Sequence, residues 1–272
     1  MGPVVEPQTH TPPMLRIEGI TKEFVSRGQV LSVLDAVDFE AGRGEFVSII
    51  GPSGCGKSTL LNIVAGLDEP TEGELELDGI DARERLGRVG YMQQKDLLLP
   101  WRTVLGNAVL GLEVIGVPRS EAKHRALALM DRFGLSGFED RYPATLSGGM
   151  RQRVAFLRTI LTERDLLLLD EPFGALDALT RGRMQEWLLD LWASYRKTIV
   201  LVTHDVDEAI FVSDRVYVLT ARPGRVRMVL PITLPRPRPA SLVTQAAFIA
   251  LKEQLLSAIR EESIRAQEED WL

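Results

Sequence analysis

The chain has 272 residues, 45% of them hydrophobic and 26% charged, the profile of a globular protein long enough to bury a large core in one or two domains. With 38 acidic against 32 basic residues it carries −6, which argues against a nucleic-acid partner, and one cysteine excludes an internal disulfide. No apolar run approaches the roughly 20 residues that cross a bilayer, and the N-terminus lacks a secretion-signal pattern, so any membrane role is expected to be peripheral.

Residues 1–13 hold four prolines and little apolar content, and are expected to form a mobile tail, with order beginning near Met14. Leu15 to Ile20 alternates like a half-buried strand, and Val30 to Phe39 contains a second strand-like run. Phe24 lies between them, where an aromatic either stacks on a purine ring or joins the core. Glu45 to Ile50 then predicts a short buried strand, and Leu60 to Ala65 the start of a helix. Between them runs Gly51-Pro52-Ser53-Gly54-Cys55-Gly56-Lys57-Ser58-Thr59, the spacing of a phosphate-binding loop in the strand–loop–helix context that such a loop requires. Gly51, Gly54 and Gly56 free the backbone to curl round an anion, so that the N–H groups from Ser53 and Cys55 to Thr59 and the positive end of the helix face it. Lys57 is placed to bridge β- and γ-phosphates, and the Ser58 hydroxyl to ligate Mg²⁺.

Beyond that helix, Pro70 to Gly73 reads as a turn, Glu74 to Gly79 as a short alternating strand and Arg88 to Met92 as another. From Gln93 to about Leu161 the pattern is helical: Thr103 to Ile115, Ser120 to Phe133, and a third helix capped by Ser147 that repeats Met150, Val154, Leu157 and Leu161. This block is expected to be an insertion between strands of one sheet. Asp165 to Leu169, Thr198 to Thr203 and Arg215 to Thr220 are uniformly apolar runs suited to central parallel strands, with a helix from Leu179 to Ser194 between the first two. The last run turns through Pro223-Gly224 into Val226 to Leu230. After the proline-rich stretch Pro231 to Pro239, a final helix is expected over Ser241 to Glu262.

Strands alternating with helices imply a parallel α/β sheet. Asp170-Glu171 closes one such strand; Asp170 suits a Mg²⁺ held through water, and Glu171 the polarisation of a water attacking the γ-phosphate. His204 follows the next strand, on the rim where it can donate to that phosphate. His10, in the tail, and His124, on a helix, carry no such expectation. Leu146-Ser147-Gly148-Gly149-Met150-Arg151-Gln152 places a second glycine turn at a helix N-terminus, another anion-binding device in the same chain. If two copies pair head to tail, each triphosphate lies between one copy's loop and the other's Ser147, Gly148 and Gly149.

With these motifs in this order, the chain resembles the ATP-binding subunits of ABC transporters over roughly residues 14–235. Gly51 to Thr59 is similar to the family's Walker A motif, Leu166 to Glu171 to Walker B, and Leu146 to Gln152 to the signature motif. Gln94 resembles the Q-loop glutamine that touches Mg²⁺ and the attacking water, Gly174 to Asp177 the D-loop, His204 the switch histidine and Phe24 the adenine-stacking aromatic. Met150 and Phe24 depart from the commoner glutamine and tyrosine. The resemblance implies an α/β P-loop NTPase (RecA-like) core with an N-terminal antiparallel β-subdomain and an α-helical subdomain inserted at about residues 95–161. Residues 236–272 remain as a C-terminal helical extension. It implies ATP and Mg²⁺ as ligands, with Glu171, His204, Gln94 and Lys57 in catalysis and Ser58, Gln94 and Asp170 near the metal.

Asp96 to Val104, Ala221 to Arg225 and Leu234 to Arg238 are also similar to the nitrate, sulfonate and taurine importer group, which includes carriers of thiamine precursors. That implies a second ATPase subunit, two membrane permeases contacted near Gln94 to Thr103, indirect dependence on an extracytoplasmic solute-binding protein, and a place on the cytoplasmic face of the membrane. Leu97 to Leu99 and Trp101 have a plainer reading as core residues. A P-loop kinase or GTPase would lack the Ser147 motif, and no Asn-Lys-x-Asp base-reading sequence is present. Cys55, at a helix N-terminus, is expected to react with thiol reagents and to be shielded by ATP.

Overall fold

The computed structural model describes residues 12–26, 28–81 and 84–269; most of the expected tail, His10 included, lies outside them. Among the described residues ten strands divide between two sheets. The N-terminal sheet is antiparallel, in the order β2 (Gln29–Ala41), β1 (Leu15–Ser26), β4 (Glu72–Leu77), β5 (Ile80–Asp81). β1 outruns the expected strand by six residues, because the pairing shifts register beyond Ile17 and then resumes as far as Ser26. Gly19, with φ 61°, lies within that shift, where a left-handed backbone costs glycine nothing.

The second sheet has the order β10 (Val226–Pro231), β9 (Arg215–Leu219), β3 (Phe46–Ile50), β8 (Thr198–Val202), β7 (Leu166–Asp170), β6 (Gly90–Met92). Every pairing in it is parallel except the edge hairpin β9–β10. Alternation between two buried faces explains why its central strands are mostly apolar. Phe46, Ile50, Leu167, Leu169, Ile199 and Leu201 face one core, whereas Val47, Ile49, Leu166, Leu168, Val200 and Val202 face the other. The second core also takes α1 (Lys57–Ala65) and the inner face of the N-terminal sheet.

The helical block enters between β6 and β7, which are hydrogen-bonded neighbours, as expected of an insertion. It holds α2 (Val104–Ala108), α3 (Leu110–Val114), α4 (Arg119–Met130) and α5 (Gly148–Ile160). The single helix expected over Thr103 to Ile115 is two, meeting at Val109. Phe156 of α5 packs edge-on against Phe133, Phe173 and Trp187, tying the block to α6 (Ala178–Tyr195). A seven-residue helix, α7 (Val206–Val212), follows His204 and was not expected. The last helix begins later than expected, as α8 (Ala246–Glu269) after a 3-10 turn at Ala240–Thr244. Its fully buried Phe248 and Leu255 each contribute about 2 kcal/mol to docking on the sheet.

Candidate nucleotide site

Parallel register places the functional loops along one sheet edge. Val202 of β8 pairs with Ile49 of β3 on one side and with Asp170 of β7 on the other, so the phosphate loop, Thr203-His204 and Asp170-Glu171 all leave from the C-terminal edge. Met92 pairs with Leu169, so Gln94, two residues further on and exposed, leaves there as well.

The phosphate loop is packed from behind. Gly54 and Gly56 have φ 78° and 102°, and a Cβ on Gly56 would lie 2.6 Å from Leu34 Cδ2. A Cβ on Gly51 would lie 3.0 Å from the Leu219 carbonyl oxygen. Lys57 is buried, and its ammonium donates to the carbonyls of Gly51 and Pro52, 2.8 Å each, within the curl of the loop. Cys55 corrects an expectation: it is 1% exposed, and burial pushes its thiol pKa up, outweighing the nearby Lys57 charge. The thiol therefore faces the core and is protected by the fold itself.

Asp170 is buried at the end of β7. Desolvation raises its carboxyl above the ordinary range, against a hydrogen bond from Ser58 that lowers it, while the Glu171 charge raises it and Lys57 lowers it. Its Oδ1 has no hydrogen-bond partner among the described residues. A buried carboxylate oxygen without a donor, beside a serine hydroxyl, is a donor set that fits a hard cation such as Mg²⁺.

Glu171 takes a left-handed backbone, φ 49°, a conformation costing a non-glycine residue about 1–2 kcal/mol and held only by its surroundings. Those surroundings are visible. Its N–H donates to the Val202 carbonyl (2.9 Å), and its carbonyl accepts from Gln152 Nε2 (2.7 Å). The side chain reaches His204, with Nδ1 3.4 Å from Oε2. Gln152 Oε1 also accepts from the Ala175 N–H at 2.8 Å, so one buried amide of α5 fastens both the end of β7 and the turn that follows it. Sequence reasoning missed this role; a glutamine on a helix buried over most of its circumference gives no periodic signal.

Ser147 caps α5, accepting from the Met150 N–H (3.2 Å), and Gly149 packs against Ala175. Ser147 and Gly148 are exposed. Among the described residues no hydrogen bond or ion pair joins Ser147–Gly149 to the phosphate loop of the same chain. Phe24 is 40% exposed with Lys22 Nζ 4.8 Å over its ring, which removes the core reading.

After Gln94, Asp96 accepts from Arg151 Nε (3.0 Å), and the carbonyls of Asp96 and Leu97 accept from Arg158, so this stretch is laced to α5. Asn107, fully buried, donates to the carbonyls of Leu99, Arg102 and Thr103 and accepts from the Leu99 N–H. The loop so folded presents Trp101, 72% exposed, and Leu97, also exposed; Leu98 and Leu99 are partly buried.

A phosphate loop, an acidic strand end and a histidine on one parallel-sheet edge, with a helical insertion beside them, define a P-loop NTPase of the ATP-binding-cassette class. Comparison with known proteins gives the family. The family described as ABC transporter matches residues 34–174. The chain is 45% identical over 252 residues, 93% of each chain, to an ABC transporter ATP-binding protein of Methanocaldococcus jannaschii. It is 41% identical over 240 residues, 88% of this chain and 93% of the other, to the aliphatic sulfonates import ATP-binding protein SsuB of Bacillus cereus. A dimeric bacterial ABC transporter cassette superposes with a TM-score of 0.76 at 33% identity, over 82% of this chain and all of that one. A post-hydrolysis dimer of an ATP-binding cassette holding ADP and Pi gives 0.75 at the same identity and coverage. The chain belongs to the ATP-binding proteins of the ABC transporter family, and is an ATPase coupled to transport.

Proposed function

We propose that this protein energises an importer of a small organic or inorganic anion or related nutrient, of the nitrate, sulfonate, taurine or thiamine-precursor type, working as a head-to-tail dimer on the cytoplasmic face of the membrane beside two permeases. Likeness to a sulfonate import protein supports the direction and the substrate class. One observation carries the catalytic reading: Lys57, Asp170, Glu171 and His204 stand on a single sheet edge, while Ser147 and Gly148 face outward.

In this reading the N–H groups of Ser53 to Thr59 and the Lys57 ammonium hold the triphosphate tail, and Phe24 stacks on the adenine. Ser58, Asp170 and Gln94 would hold Mg²⁺, which would supply charge neutralisation at the phosphates. Glu171 Oε2 orients the attacking water and takes up its proton, His204 donates to the γ-phosphate, and the partner copy's serine–glycine turn closes the opposite side. In this reading the ATP-binding domain is 14–235, with the helical subdomain at about 95–161 and a C-terminal helical extension at 236–272. The permease docks on Leu97 to Thr103, where Trp101 is displayed, and the Asp96–Arg151 pair passes its movement to α5. The solute reaches the permease from an extracytoplasmic binding protein.

Glu171→Gln tests the assignment. It should bind ATP, lose about a thousandfold in turnover and accumulate as an ATP-bound dimer in size-exclusion chromatography. Normal turnover would refute the role given to Glu171. Uptake of radiolabelled taurine, nitrate and a pyrimidine by cells expressing the complex separates the solute classes.

A further inference from the structure

The segment Ala221-Arg222-Pro223-Gly224-Arg225 has no part in the chemistry above, yet it lies directly behind the phosphate loop. A Cβ on Gly224 would collide with the Cys55 carbonyl oxygen, so the two backbones are in van der Waals contact and only glycine fits. Gly224 is pinned there: its N–H donates to the Val33 carbonyl (2.8 Å), and its carbonyl accepts from the Asp35 N–H (3.1 Å). Within the turn, the Thr220 hydroxyl donates to the carbonyl of Ala221 or Pro223 and accepts from the Arg225 N–H. The remaining hold comes from the far end of the chain. Glu262 of α8, 1% exposed, accepts the Ala221 N–H on Oε2 (3.1 Å) while Arg227 Nη1 donates to Oε1 (2.7 Å). A carboxylate buried this deeply and bonded to a backbone N–H fixes that backbone strongly.

We propose that Glu262 is a positioning residue for nucleotide binding: from α8 it holds the Ala221–Arg225 turn against the back of the phosphate loop, so that the docking of α8 sets the affinity for ATP. The path is continuous, running from the Glu262 carboxylate through the Ala221 amide and Gly224 to the Cys55 carbonyl, two residues before Lys57. Because coupling is reciprocal, ATP in the loop tightens α8 on the sheet, and a partner that pulls α8 away releases nucleotide. This inference rests on the assignment of Gly51 to Thr59 to the triphosphate.

The test is equilibrium titration of the full-length protein with ATP, together with steady-state kinetics and melting curves. Glu262→Ala should raise the ATP dissociation constant and KM about tenfold with kcat within about twofold. Glu262→Gln, whose amide oxygen still accepts the Ala221 N–H, should restore affinity to within about twofold. Gly224→Ala, which presses a methyl on the Cys55 carbonyl, should weaken binding more than Glu262→Ala. A folded Glu262→Ala protein with a lower melting temperature and unchanged ATP affinity overturns the proposal, as does unchanged affinity in Gly224→Ala. Should Glu262→Ala not fold, hydrogen exchange on the unaltered protein decides: ATP is expected to slow exchange at Ala221, Gly224 and along α8, and no slowing there overturns the idea. Lys57→Ala separates the two levels. Unchanged affinity in that variant defeats the phosphate-loop assignment, whereas a loss there with none in Glu262→Ala defeats only the role of α8.

Discussion

Gly51–Lys57 and Ser147–Gly149 are the same local device, a glycine turn opening a helix, in opposite surroundings. The first is walled by Leu34, Leu219 and Gly224 so closely that added methyl groups collide, and its lysine is held by its own carbonyls. The second is open at Ser147 and Gly148, where a Cβ on Gly148 would meet nothing nearer than Arg151 Nη2 at 3.9 Å, and packs only at Gly149, against Ala175. One is preorganised by its fold and can bind anions alone. The other is aimed by a single hydrogen-bonded helix, and only something outside the chain can complete it. Under the proposed function the contrast explains why one molecule carries both: binding would belong to the walled turn, and the commitment to hydrolyse to the open one.

Breaking the first half should have the largest effect. Lys57→Ala is expected to weaken ATP binding by about a hundredfold, seen in equilibrium titration of the monomer, since a charge-assisted clamp on two phosphates is removed. Breaking the second half should leave that titration untouched. Arg151→Ala removes the Asp96 side-chain link to α5 and leaves Arg158 on the Asp96 and Leu97 carbonyls; it is expected to keep the ATP dissociation constant while lowering permease-stimulated ATPase activity about five- to tenfold. If Arg151→Ala instead weakens ATP binding by the monomer, the two turns are not separable.

The smallest effect concerns the helix that follows His204. Glu208 of α7 is buried, its Oε1 lacks a hydrogen-bond partner among the described residues, and desolvation, with the Asp205 charge next, pushes its pKa up to about 8. The folded state therefore holds this proton more tightly than the unfolded chain, whose glutamate titrates near 4.5. Stability from this group is complete below pH 4.5 and lost progressively as pH rises to about 8. Glu208→Gln, neutral throughout, should flatten the fall in melting temperature between pH 5 and pH 8 by about a few degrees, measured by calorimetry. An unchanged slope would count against a buried, protonated Glu208.

Much of this was legible in the sequence where one physical rule acted alone. Glycine spacing before a helix gave the phosphate loop, and runs of four successive apolar residues, Leu166 to Leu169, Ile199 to Val202 and Val216 to Leu219, gave β7, β8 and β9, because a strand buried on both faces favours apolar residues throughout its middle. Ser147 was readable as a cap from its residue type and place. What escaped depends on partners remote in sequence. α7 is too short to show a helical period. Val109 breaks Thr103 to Ile115 although each residue there tolerates a helix, and Asn107 is occupied with the preceding loop rather than with solvent. Cys55 was expected to be reactive from its position at a helix start, but it is buried in a core that also takes Leu219, more than 160 residues away. Gln152 and Glu262 act through backbone groups, and residue types alone do not name a backbone partner.

The amide of Gln152 has a mechanical consequence. It grips the Glu171 carbonyl with its nitrogen and the Ala175 N–H with its oxygen, so α5 cannot tilt without dragging both ends of the turn that begins at Glu171. The helix and the acid thus behave as meshed gears. Under the proposed function, whatever rotates the inserted helices also re-aims Glu171, and cleavage is timed by the same motion that brings the second molecule into place.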